Sequence, residues 1–241
     1  MKRALVFQHM NYDHPGRFLD FFAEDRIVPE MVRLWEGQEI PNLAPYDFLF
    51  VLGGAQDTWQ ENEHGWMLAE KAAIREWVWD RAKPYFGVCL GHQLLCDALG
   101  GEVALADVPE VGVYDIALTD DGKGHALFSG VAPDNKVMQW HWAEVRRAPQ
   151  GAKVLATSAR SAIQSVAIDS HAISTQFHCE FTTQTMATWS SLPGYLASLE
   201  KQNGEGAYRR LILEATPLMP QMARMTRRIY DNLMRATGLR K

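Results

Sequence analysis

PYFGVCLGHQLLCDALGG, residues 84–101, changes periodicity within a few residues. The apolar run 84–88 reads as a buried strand. Residues 91–99 carry a helical pattern that ends at Gly100-Gly101, where a helix-terminating glycine belongs. Between the two stands Cys89, flanked at short distance by Gly87 and Gly91. A tight turn from strand to helix pushes its side chain out at the top of a sheet. It also points the backbone N–H groups of the helix start into the same space. That helix end favours thiolate over thiol, and the small neighbours permit the unusual backbone. A buried cysteine ahead of an ordinary glycine-rich helix start would show the same local pattern.

Outward from this elbow, short apolar runs alternate with helical stretches. Residues 3–8 (RALVFQ), 29–35 and 47–52 (DFLFVL) read as strands. Pro15-Gly16 opens a helix through Phe18, Leu19, Phe21 and Phe22, and 66–81 places Leu68, Ala72, Trp77 and Val78 at helical spacing. Such alternation predicts right-handed crossovers and an α/β fold, a doubly wound, mostly parallel sheet with helices on both faces. Further runs at 111–118, 137–145, 152–157, 163–168 and 172–177 are separated by Gly, Pro, Asp and Ser, and predict added strands, some antiparallel. Beyond Glu180 the chain turns helical, and Leu218, Met222, Met225, Ile229 and Leu233 mark one face of an amphipathic helix. We expect residues 1–201 to form the α/β domain, with 202–241 a helical extension packed on it.

Composition narrows the class further. The 241 residues are 47% hydrophobic and 22% charged, with 24 Lys and Arg against 29 Asp and Glu, a formal charge of −5. A mildly acidic body is a poor platform for nucleic acid or an anionic membrane. There is no apolar run of membrane-spanning length and no signal-peptide pattern, so a cytoplasmic protein is expected. Three cysteines, Cys89, Cys96 and Cys179, show neither a C-x-x-C pair nor zinc spacing. They read as thiols rather than bridges or metal ligands. No phosphate-cradling G-x-x-x-x-G-K-[ST] motif occurs.

A cysteine nucleophile needs a base, and the base an orienting group. Gln176-Phe177-His178-Cys179-Glu180 supplies candidates at the end of a predicted strand. In extended chain, residues two apart share a side, so Glu180 can hold the imidazole of His178 while His178 takes the proton of Cys89. A surface His and Glu at a strand end is the alternative. Gly53-Gly54, after the strand 47–52, lets the backbone approach a ligand closely. Its amides, beside that of Leu90, can donate to a developing oxyanion, though diglycine turns are common.

Taken together, these segments resemble a known family. Gly87-Val88-Cys89-Leu90-Gly91-His92-Gln93 is similar to the G-x-C-x-G-x-Q signature of class I (triad-type) glutamine amidotransferases, and Gln176–Glu180 to their Q-F-H-P-E. The diglycine matches the family's oxyanion strand, and His178 follows Cys89 by 89 residues, in the usual range. Phe7-Gln8-His9, Leu52-Gly53-Gly54, Gln139-Trp140-His141 and Gln164 add similarity to the stand-alone, GMP-synthase-like branch. The resemblance covers about residues 3–190. It implies a flavodoxin-like domain with Cys89 as nucleophile toward a γ-carboxamide, forming a thioester and releasing ammonia. His178 would be the base and acid, and Glu180 its orienting carboxylate. Gly54 and Leu90 would form the oxyanion hole. Gly53, Gln93, Trp140 and His141 would line the substrate pocket. It implies no cofactor or metal. The implied partners are glutamine or a γ-glutamyl small molecule and a separate synthetase subunit, with no nucleic acid or membrane.

Three departures stand out. Cys179 replaces the family's proline, Ala55-Gln56-Asp57 replaces a proline-containing loop, and His141-Trp142-Ala143-Glu144 replaces His-Gly-Asp. A tryptophan at 142 is expected to narrow or roof the pocket. Competing functions are a γ-glutamyl peptidase acting on larger compounds, an idle regulatory subunit, and a different cysteine hydrolase using the same elbow. Cys96, two helical turns beyond Cys89, reads as core, and His9, His14, His92, His125 and His171 as structural or exposed. Arg224, Arg227, Arg228, Arg235 and Arg240 make the tail basic, as a solvated face or a dock for an acidic partner.

Overall fold

The computed structural model describes residues 1–240. Strand β1 (Lys2–Gln8) sends Ala4 and Val6 to one side of the sheet and Leu5 and Phe7 to the other, all buried. β3 (Phe48–Val51) and β4 (Tyr85–Val88) divide their side chains the same way. Strands covered on both faces are apolar throughout, as a parallel sheet requires. With β2 (Ile27–Arg33), β5 (Glu102–Leu118), β6 (Asp134–Arg147), β7 (Lys153–Ser158), β8 (Ser165–Ile168) and β9 (Ala172–Thr175) they form one sheet of order β2-β1-β3-β4-β9-β8-β7-β5-β6. The first five in that order run parallel, and every later neighbour pairs antiparallel. The parallel part has the flavodoxin-like order, in which ligands bind beyond the carboxyl ends of the strands.

Helices α1 (Phe18–Glu24) and α7 (Ala207–Ala236) cover one face; α2 (Trp66–Arg75) and α3 (Leu90–Ala98) cover the other. Short α4 (Asp120–Gly124) follows β5. α5 (Thr183–Ser190) and α6 (Pro193–Asn203) enclose a third apolar cluster, in which Phe181, Met186, Trp189 and Leu211 meet Val111 and Met138. Cys96 is fully buried in the layer under α3. No helix among the described residues is long and apolar enough to cross a membrane.

Three local differences from the sequence pattern have physical causes. The helix expected over 66–81 is α2 followed by one π-helical turn, Glu76–Asp80. β5 begins well before residue 111, because its first half pairs only with β6, across a register break between Leu105 and Glu110. Little of that ribbon is buried, so burial imposes no alternation there. Two arginines of the tail find acids on α1, in the turn after it and on α7 itself. Arg227 pairs with Glu24 and Asp231, and Arg240 pairs with Asp25 and Asp231. Tyr230 seats its ring edge-on against Phe18 and its hydroxyl on Asp25 at 2.7 Å, closing α7 over α1.

Candidate active site

Cys89 leaves β4 with φ +52° and ψ −106°, a conformation that costs a non-glycine residue free energy and recurs at functional turns. The strain is held from both sides. The Cys89 amide donates to the Thr175 carbonyl of β9 at 2.9 Å, while its carbonyl accepts from the amides of His92 and Gln93 to start α3. Gly91 is obligatory there: a Cβ on it would lie 2.3 Å from the Val51 carbonyl oxygen of β3. The Cys89 side chain is 5% exposed, and its Sγ lies 3.8 Å from the Trp140 carbonyl oxygen of β6.

His178 and Glu180 come together by a different route from the one expected. β9 stops at Thr175, and the chain turns, with the Cys179 amide donating to the Phe177 carbonyl at 3.1 Å. A proline at 179 could not make that bond. The turn sets His178 Nδ1 2.7 Å from Glu180 Oε1, both residues buried. The other ring nitrogen, Nε2, has no well-aligned hydrogen bond. Burial disfavours the charged ring, but the charge of Glu180, then that of Cys89 close by, outweighs it and holds the imidazole well above its ordinary pKa. The indole of Trp189 stands edge-on to the ring at 4.9 Å. Burial pushes the Cys179 thiol up, and its Sγ contacts Thr175 Oγ1 at 3.5 Å.

Above the carboxyl end of β3, the Gly53–Gly54 peptide is set by His9, which the sequence reading left as structural or exposed, and by Glu70, which it did not single out. His9 Nδ1 donates to the Gly53 carbonyl at 2.8 Å, and His9 Nε2 meets Glu70 Oε1 of α2 at 2.8 Å; both side chains are fully buried. In a trans peptide the C=O and the following N–H point in opposite directions. Fixing the Gly53 carbonyl on His9 therefore turns the Gly54 amide the other way. Burial lowers the His9 pKa, but Glu70 and the Gly53 carbonyl more than offset it, so the pKa is raised. A Cβ on Gly54 would come within 2.9 Å of Gln56, Leu90 and His9 atoms. The neighbouring Gly91 amide is used on Leu52, whereas among the described residues the Gly54 and Leu90 amides donate to no backbone carbonyl or side chain.

These groups open into one cavity of about 460 Å³, whose wall includes Gly54, Cys89, Gln93, Trp140, His141 and His178. Gln93 spends its amide on the Ala143 carbonyl and Gln176 Oε1, at 3.0 and 3.1 Å. His141 has both nitrogens engaged, on Ala143 O and Glu110 Oε2. Glu110 in turn accepts from Ser158 and Gln164, and Gln164 from Gln139, so a buried polar network braces β5, β6, β7 and the approach to β8 behind the pocket. Trp142 stands at the rim, 38% exposed. Among the described residues no three His, Cys, Asp or Glu side chains are placed to share a metal ion.

Among the wall residues that escaped the sequence reading, one is an acid. Asp13, in the loop after β1, is 7% exposed, and its Oδ1 has no hydrogen-bond partner. Burial, with Glu180 adding to it and His178 opposing, raises its carboxyl pKa to about 6. Its position beyond the carboxyl end of a central parallel strand was the available signal.

Comparison with known proteins places this geometry. Residues 24–189 match the family model for glutamine amidotransferase class-I. A glutamine amidotransferase-like protein of Salmonella typhimurium is 32% identical over 183 residues, spanning 74% of this chain and 75% of that protein. The glutamine-hydrolysing GMP synthase subunit of Sulfolobus acidocaldarius is 30% identical over 152 residues, 63% of this chain and 76% of its own length. The crystal structure of a glutamine amidotransferase from Thermotoga maritima superposes with a TM-score of 0.86 at 25% identity, over 98% of both chains.

Proposed function

The chain belongs to the class-I glutamine amidotransferase family, and from that premise we propose that it hydrolyses the γ-amide of glutamine, or of a γ-glutamyl amide, through a thioester on Cys89. The observation that carries this reading is that Cys89 and His178 open on one cavity, with His178 Nδ1 held at 2.7 Å by the Glu180 carboxylate behind it.

In this reading His178 Nε2, the nitrogen left free by Glu180, holds the thiol proton, and Sγ attacks the amide carbon as the thiolate. The C–S bond forms, and the oxygen gathers charge between the amides of Gly54 and Leu90. One such donor contributes about 3 kcal/mol to the transition state. His9 and Glu70 keep the Gly54 donor aimed, so no reorganisation is needed at the moment of reaction. The C–N bond then breaks, and His178 delivers its proton to the departing nitrogen, leaving the thioester. Water attacks that carbonyl, His178 takes its proton and returns it to sulfur, and the γ-carboxylate is released. The balance is amide plus water to acid plus amine, and splitting it through sulfur replaces one difficult step with two easier ones.

Two receivers of the nitrogen are consistent with this. Similarity to a GMP synthase subunit supports a separate synthetase partner that takes the ammonia. The cavity volume, about 460 Å³, lies in the range that encloses drug-sized ligands and supports γ-glutamyl amides larger than glutamine. Intact Cys89, His178 and Glu180 weigh against an idle, purely regulatory chain. The test is to incubate the protein with glutamine and a γ-glutamyl panel, follow glutamate and ammonia, and locate the acyl adduct by mass spectrometry. We expect the adduct on the Cys89 peptide and none in Cys89→Ser. Glutamate release that survives in Cys89→Ser, or no acylation and no release with any panel member, overturns the reading.

A further inference from the structure

Apart from the His178 imidazole, the charges on the wall of the catalytic cavity are all of one sign. Among the described residues its wall carries two carboxylates, Asp13 and Asp57, and no lysine or arginine. Asp13 is more than nine-tenths buried, and its loop is fixed from behind, since Gln8 Nε2 donates to the Asp13 carbonyl at 2.6 Å. Its Oδ1 nevertheless meets no donor. A buried carboxylate oxygen without a partner costs stability, and a side chain serving the fold alone would be expected to use both oxygens.

The placement of the second oxygen shows which part of a substrate this carboxylate faces. Asp13 Oδ2, His178 Cε1 and Cys89 Cβ all lie within 3.6 Å of one point above Gly53. Asp13 therefore lies next to both the imidazole and the cysteine. In the reaction proposed above, on which this inference rests, the departing amine must come to the imidazole, because His178 protonates it, and so comes within reach of Asp13. The wall around it is aromatic: Trp140, Trp189 and Tyr195 pack with ring centroids 5.3–5.5 Å apart. A carboxylate amid aromatic faces is the chemistry that receives an ammonium group. An amine bearing its own carboxylate, as an amino acid released from a γ-glutamyl dipeptide does, would meet like charge there once His178 has given up its proton, with no lysine or arginine on the wall to offset it.

We propose that Asp13 selects the leaving group by charge, favouring γ-glutamyl amides whose departing amine carries a second positive charge over those of amino acids. Trp189, whose indole favours the ionised form of Asp13, is part of the same subsite.

The experiment has a binding arm and a turnover arm, both at pH 7.5. In the first, 1,4-diaminobutane, ethylamine and glycine are titrated into the protein, with the fluorescence of the pocket tryptophans as readout. In the second, kcat/KM is measured for the γ-glutamyl amides of the same three amines. We expect the cationic member to exceed the anionic one by about tenfold or more in both arms. Asp13→Asn should compress that ratio to within about threefold, and Asp13→Glu should restore most of it. Thermal melts and circular dichroism check that the variants fold. No charge order in the wild type, or an order that persists in Asp13→Asn, overturns the inference. The two levels separate cleanly. Hydrolysis without an Asp13-dependent order sinks the inference alone. Asp13-dependent diamine binding with no acylation of Cys89 supports the subsite and sinks the hydrolase reading.

Discussion

Replacing Asp13 by asparagine should stabilise the fold at neutral pH and change it little in acid. Burial raises the folded-state pKa of this carboxyl from 3.8 to about 6, with Glu180 adding to the effect and His178 opposing it. Between those two pH values the folded chain keeps a proton that the unfolded chain has released. Stability must therefore fall as pH rises through that window. At 1.36 kcal/mol per pH unit the deficit reaches about 3 kcal/mol above pH 7. Asparagine has the shape of the protonated acid and no charge to desolvate, so the variant is spared the deficit. For a chain of this length that corresponds to a melting temperature higher by roughly 6–12 °C at pH 7.5, with the stability difference shrinking to about 0.6 kcal/mol near pH 4. Paired urea titrations of wild type and variant at the two pH values measure it directly, because every other titrating group is common to both. A variant equally or less stable at pH 7.5, or a gain of the same size at pH 4, would refute the placement of an unpaired buried charge at this position. Confirmation would make Asp13 a residue kept at a cost to stability, as functional residues often are.

Other perturbations probe the remaining parts of the site. Gly54→Ala brings a Cβ within 2.9 Å of Gln56, Leu90 and His9 atoms. We expect kcat for glutamine to fall about a hundredfold while the melting temperature moves by a few degrees, and a fall confined to KM would contradict the donor role. Glu70→Gln removes the main influence that opposes burial at His9. It should lower kcat about tenfold at nearly constant KM, and an unchanged kcat would show that the Gly53–Gly54 peptide needs no brace. Glu180→Gln removes the largest influence that counters burial at His178. Its imidazole should then titrate at lower pH by NMR. The stabilisation from the charged ring, full below pH 6.5 and lost as pH passes the raised folded value, should shrink with it. Phe86→Ala, in the fully buried layer between α1 and the sheet, should cost about 3–5 kcal/mol in urea unfolding.

The parallel half of the fold was legible because its strands are buried on both faces, so each appears as an uninterrupted apolar run between turn residues. Residues 102–110 gave no such signal: they form half of a ribbon bound along one edge, where exposure relaxes the pattern. Cys89, His178 and Glu180 were readable for a local reason: each sits in a short segment whose neighbours also have to be unusual. His9 and Glu70 lie 61 positions apart, and nothing local to either announces the other. Asp13 is a single acid in an aperiodic loop, and only the topology of the sheet gives that loop its place. Glu110 was hidden likewise, since its partners His141, Gln164 and Ser158 come from three separate segments. Extended-chain alternation gave the right pairing of His178 with Glu180, but a turn closed by the Cys179 amide brings it about.

That turn is also tethered from outside the sheet, since Thr226 Oγ1 of α7 donates to the Cys179 carbonyl at 2.8 Å. The last helix thus acts as a clamp on the segment that carries the imidazole. Local loosening of α7, of the kind that precedes global unfolding, would let the ring drift from the sulfur while the strands stayed paired. Warming should then abolish the proposed hydrolysis some degrees before the far-ultraviolet signal of the sheet begins to change.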